Sequence, residues 1–181
     1  EALFLAHCDA NDKDLSACLR KFIQRTGCGI SSRQAEDGLL TQGLLDGVFP
    51  EKNLLGASLE LVETELAKLT GSMQDDVLVC SSGMNAFYSA FRAVQELQSA
   101  RGRKFWLQLG WLYLDSGSIL KEFLNEGACL DFCYDVTNTD LLVERIEACG
   151  DSLACVVVEC PTNPLVQVAD LPRISAVVRA N

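Results

Sequence analysis

The chain has 181 residues, of which 49% are hydrophobic, so it can bury a sizeable core in one domain or a little more. Its net charge is −10, and its lysines and arginines form no basic stripe, which argues against a nucleic-acid partner. No apolar run reaches the roughly 18 residues that a membrane span needs, and no signal peptide is visible, so we expect no membrane partner.

The nine cysteines are spread along the chain without any C-x-x-C pair. Because the chain has a single histidine and no C-x-x-C pair, it lacks the usual ligand pattern of a zinc site, and we expect no bound metal. Several cysteines lie inside apolar runs. We therefore expect buried, reduced thiols and a cytoplasmic protein.

The first predicted elements are helical. Apolar residues recur at helical spacing over residues 13–26, and a glycine-rich stretch over 27–53 predicts a loop with room for one short helix. Ser58 can cap the next helix, which Gly71 ends.

Strands and helices alternate along the rest of the chain. Strands are predicted at 77–80, 105–109, 129–134 and 155–159, and helices at 84–99, 116–125, 140–149 and from 171 onward. This order predicts an α/β layered fold with a mostly parallel sheet flanked by helices. Ligands of such sheets bind beyond the carboxyl ends of the strands, so the segments that follow the strands are where chemistry is expected.

The first of these segments is Ser81-Ser82-Gly83-Met84, between a predicted strand and a helix. Serine and glycine allow a tight turn whose free N–H groups point outward, and a helix N-terminus adds partial positive charge. Together these features favour a phosphate site. The alternative is an ordinary capped helix start.

The second segment, Gly110–Gly117, places Trp111 and Tyr113 after a strand. An aromatic side chain there can stack on a flat cofactor ring, or it can simply cover the edge of the core.

The third segment runs from Glu159 to Leu165, where Pro161 and Pro164 fix the path of the chain on either side of Asn163. A constrained loop with polar groups at a crevice suits a binding role. A rigid structural turn is the alternative.

In this order and spacing, the three segments resemble the Cys/Met-metabolism enzymes that depend on pyridoxal 5′-phosphate (PLP), namely cystathionine γ-synthase, the β- and γ-lyases and their relatives. Ser82-Gly83-Met84 resembles the family's Ser-Gly-Met turn. Pro161–Leu165 matches its Pro-Thr-Asn-Pro-Leu loop residue for residue, and Glu159 matches the glutamate before that loop.

A narrower resemblance is to the divergent, fungal-type cystathionine γ-synthases. Arg25–Glu36 is similar to their His-Thr-Gly-x-Gly-Ile-Ser-Ser-Arg-x-Ala-Glu stretch, and Tyr113–Ser116 to their Tyr-x-Asp-Ser/Thr segment. The resemblance covers residues 17–181.

The resemblance implies PLP as the cofactor and a type I, aminotransferase-like fold. Ser82, Gly83 and Met84 would hold the cofactor phosphate. The family's Tyr-Ser-Arg segment, which reaches into the neighbouring subunit's phosphate site, is absent before Ser58, and we interpret Ser31-Ser32-Arg33 as its displaced counterpart. Arg33 is therefore a further candidate phosphate ligand.

The resemblance also implies the contacts of the cofactor ring. Tyr113 would stack on the pyridine ring, Asn163 would lie near the ring's 3-oxygen, and Glu159 would support that loop. The family is usually a dimer or a dimer of dimers, with active sites at a subunit interface, so a homodimer or homotetramer is expected.

The family's Schiff-base lysine and the aspartate that pairs with the pyridine nitrogen are expected beyond Asn181, since no lysine follows Lys121. Both ends of the chain, at Glu1 and Asn181, read as cuts in a longer protein. We therefore expect no catalytic residue within this chain, and no activity from it alone.

Residues 1–57 are interpreted as an N-terminal helix and loop segment that forms an interface, and residues 58–181 as the first part of the PLP-binding domain. The implied reaction joins cysteine to an O-acyl-homoserine by γ-replacement, which gives cystathionine and belongs to methionine biosynthesis and cysteine metabolism. A cystathionine or methionine lyase is one alternative. A non-catalytic α/β domain kept for binding or assembly is another, since a fold alone does not specify a function.

Overall fold

The computed structural model describes residues 12–50 and 56–181, which divide into two compact units at the boundary between Ala86 and Phe87. The helices that begin in the first unit are α1 (Lys13–Thr26), α2 (Ser32–Thr41), α3 (Ser58–Thr70) and α4 (Gly83–Ala100), the last of which contains residues of both units. The second unit continues with β1 (Phe105–Leu109), α5 (Leu114–Glu122), β2 (Cys129–Cys133), α6 (Thr139–Cys149), β3 (Leu153–Val158) and α7 (Leu171–Ala180).

Within the described residues, the strands form one parallel sheet in the order β2–β1–β3. Phe105 lies opposite Cys129 on one side and Leu153 on the other, with a register shift before Trp106. Parallel strands need crossover connections, and α5 connects β1 to β2 while α6 connects β2 to β3 across β1. The predicted α/β fold with a parallel sheet and flanking helices is confirmed.

One face of the sheet carries the main core of the second unit. Leu107 and Leu109 of β1 are fully buried against Leu142 and Ile146 of α6, and Ile174 of α7 completes the cluster. Alternate residues of a strand point to opposite faces. Trp106 therefore lies on the other face, where its ring packs 5.3 Å from that of Phe91, measured between centroids.

The strand predicted at residues 77–80 is not formed. The chain passes from a 3₁₀ turn at Gln74–Asp76 to helix α4 without strand structure, and the side chain of Leu78 is 87% exposed. An apolar run becomes a strand only where a neighbour supplies backbone hydrogen bonds, and no strand of the described residues does so here.

Helix α5 differs from the prediction at both ends, since it runs from Leu114 to Glu122 instead of over residues 116–125, with Tyr113 as its N-cap residue. Helix α2 is the one short helix for which the predicted loop had room, and at its start the Ser31 hydroxyl accepts a hydrogen bond from the Gln34 N–H. Residues 51–53 of the predicted loop lie outside the described residues.

The described cysteines are unpaired thiols, and Cys133 is buried as expected. The expectation of burial is wrong for Cys18, Cys28 and Cys129, which are exposed. Cys129 begins the edge strand β2, and Cys18 lies on a helix whose single buried residue is Thr26. Cys8 lies outside the described residues.

Residues 12–50 and 56–181 contain no helix with the length and apolar character that a bilayer crossing requires. The same residues bring together no group of three or more His, Cys, Asp or Glu side chains that could hold a metal ion.

Replacing Ile146 by alanine should lower the free energy of unfolding by about 2–5 kcal/mol, because this side chain is fully buried against β1 and the substitution leaves a cavity. Chemical denaturation of the full-length protein measures the effect. Leu141→Ala on the same helix is the matched control, since Leu141 is 41% exposed and should cost much less. Equal losses in the two variants would contradict the assigned core.

Burial raises the pKa of the Cys155 thiol on β3 to about 11. The raised pKa keeps Cys155 protonated at pH 8, and because the thiolate is the nucleophile, iodoacetamide should modify Cys155 much more slowly than the exposed Cys129. The Cys155 rate should rise about tenfold from pH 8 to pH 9, as the thiolate fraction does. Peptide mass spectrometry measures both rates, with the denatured protein as control. Equal rates in the folded protein at pH 8 would refute the prediction.

Candidate cofactor site

The predicted phosphate turn forms the start of helix α4. The Ser82 hydroxyl accepts a hydrogen bond from the Asn85 N–H at 3.1 Å, and the Ser82 carbonyl accepts one from the Ala86 N–H at 2.9 Å. Within the described residues, the N–H groups of Gly83 and Met84 donate to no acceptor. Gly83 is exposed, and a Cβ placed on it would meet nothing within 4 Å. These free donors at a helix N-terminus, beside open space, fit a phosphate group.

In the second unit, Tyr113 and Glu159 are in direct contact. The Tyr113 N–H donates a hydrogen bond to the Glu159 carboxylate at 2.6 Å. Tyr113 is the N-cap residue of α5, so the carboxylate also lies where the helix dipole favours a negative charge. The Tyr113 side chain is 48% exposed and thus has a face available for stacking. The Glu159 carboxylate therefore holds the backbone of Tyr113, while its support of its own loop stays a prediction.

The loop after β3 is closed around Thr162, whose side chain is 2% exposed. The Thr162 N–H donates to the Gln167 carbonyl at 2.9 Å, and the Thr162 carbonyl accepts from the Val166 N–H at 2.8 Å. The Thr162 hydroxyl accepts a third bond, from the Gln167 N–H at 3.1 Å. These bonds hold the backbone on either side of Asn163, whose side chain is exposed.

A glycine is required where this loop meets the end of β1. Gly110 has a φ of +67°, and a Cβ on it would lie 2.7 Å from both Thr162 Cγ2 and Val136 Cγ1. Its N–H donates to the Cys133 carbonyl at 2.7 Å, which joins the ends of β1 and β2. Any side chain at residue 110 would push the loop away from the strand end.

The structure thus brings Tyr113 and Glu159 together and places Asn163 on the loop that Glu159 begins. Ser82, Gly83 and Met84 form one turn, and Arg33 lies in the first turn of α2 with an exposed side chain. The cofactor roles of these residues stay predictions.

Gly110 and Thr162 were missed as supporting residues. The sequence contains a signal for each of them. Gly110 is a glycine directly after a predicted strand, and Thr162 is a small polar residue between two prolines.

Comparison with known proteins decides the family. The model of the Cys/Met metabolism PLP-dependent enzymes matches residues 56–181. The chain belongs to this family. Its members depend on PLP, so the predicted cofactor is confirmed at the level of the family.

Two curated relatives extend the comparison. The chain is 33% identical over 168 residues to the L-2-amino-4-chloropent-4-enoate dechlorinase/desaturase of Streptantibioticus cattleyicolor, a match that covers 91% of the chain and 33% of that protein. It is 29% identical over 126 residues to the cystathionine gamma-synthase of Neurospora crassa, covering 66% of the chain and 20% of that protein. The chain therefore spans a third or less of the length of these relatives. No solved structure gives a significant match.

Replacing Glu159 by alanine should weaken PLP binding by the full-length protein about tenfold, because the Tyr113 N–H loses a charged acceptor. Titration with PLP, followed by visible absorbance, measures the affinity. Glu159→Gln keeps an acceptor oxygen and should stay within about threefold of the parent protein, since a neutral hydrogen bond retains part of the interaction. Unchanged affinity in the alanine variant would show that this contact does not support the cofactor.

Proposed function

We propose that the full-length protein uses PLP to remove a leaving group from the γ-carbon of an amino acid. The observation that carries the proposal is that the names of both relatives point to the γ-carbon of an amino acid. One is named a γ-synthase, and the substrate in the other's name has its chlorine on carbon 4, which is the γ-carbon when carbon 2 carries the amino group. The family match supports the cofactor that such chemistry needs, because bound PLP acts as an electron sink for carbanions.

The proposed work of the first unit is to bind phosphate. The free N–H groups of Gly83 and Met84 donate to it, and the Ser82 hydroxyl, which caps the helix, keeps those donors in place. We also assign the Arg33 guanidinium to a phosphate, since arginine offers several donors in a fixed plane and this side chain is exposed.

The proposed work of the second unit is to bind and orient the ring. Tyr113 stacks on it, because its aromatic face is half exposed and its backbone is bonded to Glu159. The Asn163 amide donates to the ring's 3-oxygen from a loop whose backbone Thr162 closes. These contacts orient the ring. Other groups, not these residues, would assist the loss of the γ-substituent.

The first candidate reaction is γ-replacement, in which an O-acyl-homoserine loses its acyloxy group as a carboxylate and the cysteine thiolate forms the new carbon–sulfur bond. The likeness to the cystathionine gamma-synthase favours it. The second candidate is the loss of chloride from a 4-chlorinated amino acid, which the 33% identity to the dechlorinase/desaturase favours.

The assembly and location belong to the same proposal. We assign the protein to a cytoplasmic homodimer or homotetramer in which residues 1–57 form part of an interface, with residues 58–181 as the first part of the PLP-binding domain. The N-terminal helix α1 offers exposed apolar side chains for such an interface, among them Leu15, Phe22 and Ile23.

Assays of the full-length protein with PLP should show turnover of an amino acid with a γ-leaving group. We expect cystathionine from O-acyl-homoserine plus cysteine, or chloride release from 2-amino-4-chloropent-4-enoate, measured by mass spectrometry and ion chromatography. Cystathionine given alone is the control for a lyase. Its breakdown to homocysteine and pyruvate, which is a β-elimination, without either of the other reactions would overturn the proposal, whereas release of cysteine would be removal of a γ-substituent. A protein that binds no PLP and converts none of the three would be a non-catalytic member of the family.

A further inference from the structure

The end of helix α1 lies against the turn that starts helix α4. The Ser81 hydroxyl donates to the Gly27 carbonyl at 3.4 Å, and the Asn85 amide nitrogen donates to the Thr26 carbonyl, also at 3.4 Å. Thr26 is fully buried, and its hydroxyl donates to the Phe22 carbonyl at 2.7 Å, which holds its side chain against α1. Both ends of the Ser81–Asn85 turn are thus bonded to one segment, Thr26–Gly27, at the end of α1.

The contact at Gly27 is too close for any side chain. A Cβ there would lie 2.3 Å from the Ser82 hydroxyl oxygen and 2.6 Å from the Asn85 backbone nitrogen. The serine side chain can rotate away, but the backbone nitrogen of a helical first turn cannot move without moving the turn. Gly27 therefore sets how near α1 comes to the N–H groups of Gly83 and Met84.

We propose that Gly27 is a positioning residue for cofactor phosphate. It allows the end of α1 to support the turn from behind, so that the free N–H groups of Gly83 and Met84 keep one direction. This inference rests on the proposed phosphate role of the turn. It extends that role to Gly27, which lies 56 positions before Gly83 and is not itself a phosphate ligand.

Helix capping alone does not explain the contact. Gly27 ends α1 with a φ of +60°, and Gly71 ends α3 in the same left-handed conformation with a φ of +68°. A Cβ on Gly71 would meet nothing within 4 Å. An alanine at either residue has the same backbone strain, but only an alanine at residue 27 collides with the turn.

The test compares Gly27→Ala with Gly71→Ala in the full-length protein. Each variant is titrated with PLP and with pyridoxal, which lacks the phosphate, and visible absorbance reports binding. We expect Gly27→Ala to weaken PLP binding roughly tenfold, because hydrogen bonds to a charged phosphate are lost or misdirected, while its pyridoxal affinity stays unchanged. Gly71→Ala should change neither affinity.

Equal losses for PLP and pyridoxal in Gly27→Ala, or losses no greater than those of Gly71→Ala, would overturn the positioning role. A parent protein that binds PLP no better than pyridoxal would instead overturn the phosphate role of the turn.

If circular dichroism shows that Gly27→Ala does not fold, Asn85→Ala takes its place. That variant adds no atoms and removes the bond to the Thr26 carbonyl. It should reduce PLP affinity about threefold without affecting pyridoxal, in keeping with one neutral hydrogen bond. No loss in Asn85→Ala would overturn the inference.

Discussion

Strand β1 has a parallel neighbour on each side, and the functional geometry of the second unit follows from that pairing. Parallel strands end at the same edge of a sheet. Tyr113 follows the end of β1 and Glu159 the end of β3, so two residues 46 positions apart come within a 2.6 Å hydrogen bond. An antiparallel pairing would place the residues that follow the two strands at opposite edges.

Close backbone approach is the second constraint, and it falls on Gly110 and Gly27. Each follows directly after a strand or helix and meets another segment where a Cβ would be within 2.7 Å of its neighbours. A chain that bends away from the end of an element usually needs a left-handed residue, which glycine supplies without strain. In both cases the glycine that ends an element also lets a segment of the candidate site pack against it.

The sequence predicts those parts of the structure that depend on local pattern. The alternation of apolar strands and amphipathic helices is enough to predict the parallel sheet and the three segments that carry polar groups. Residues 77–80 show where local pattern fails, because they were predicted as a strand but form none. A strand needs a hydrogen-bonded partner, which the local pattern does not specify. The bond from Tyr113 to Glu159 and the contact of Gly27 with Ser82 are tertiary, and only their separate residues are visible in the sequence.

The Ser81–Asn85 turn and the Thr162 loop are held by different kinds of contact, so different substitutions should disrupt each of them. The Thr162 loop is closed by hydrogen bonds among its own residues, so its shape depends on residues 162–167 and on Gly110. The Ser81–Asn85 turn depends instead on the end of α1, which is distant in sequence. If the Ser81–Asn85 turn holds phosphate and the Thr162 loop faces the ring, as proposed, a change at the end of α1 should affect phosphate binding and a change near Thr162 should affect ring binding. The two effects should be separable because, among the described residues, the hydrogen bonds that hold the turn and those that close the loop share no residue.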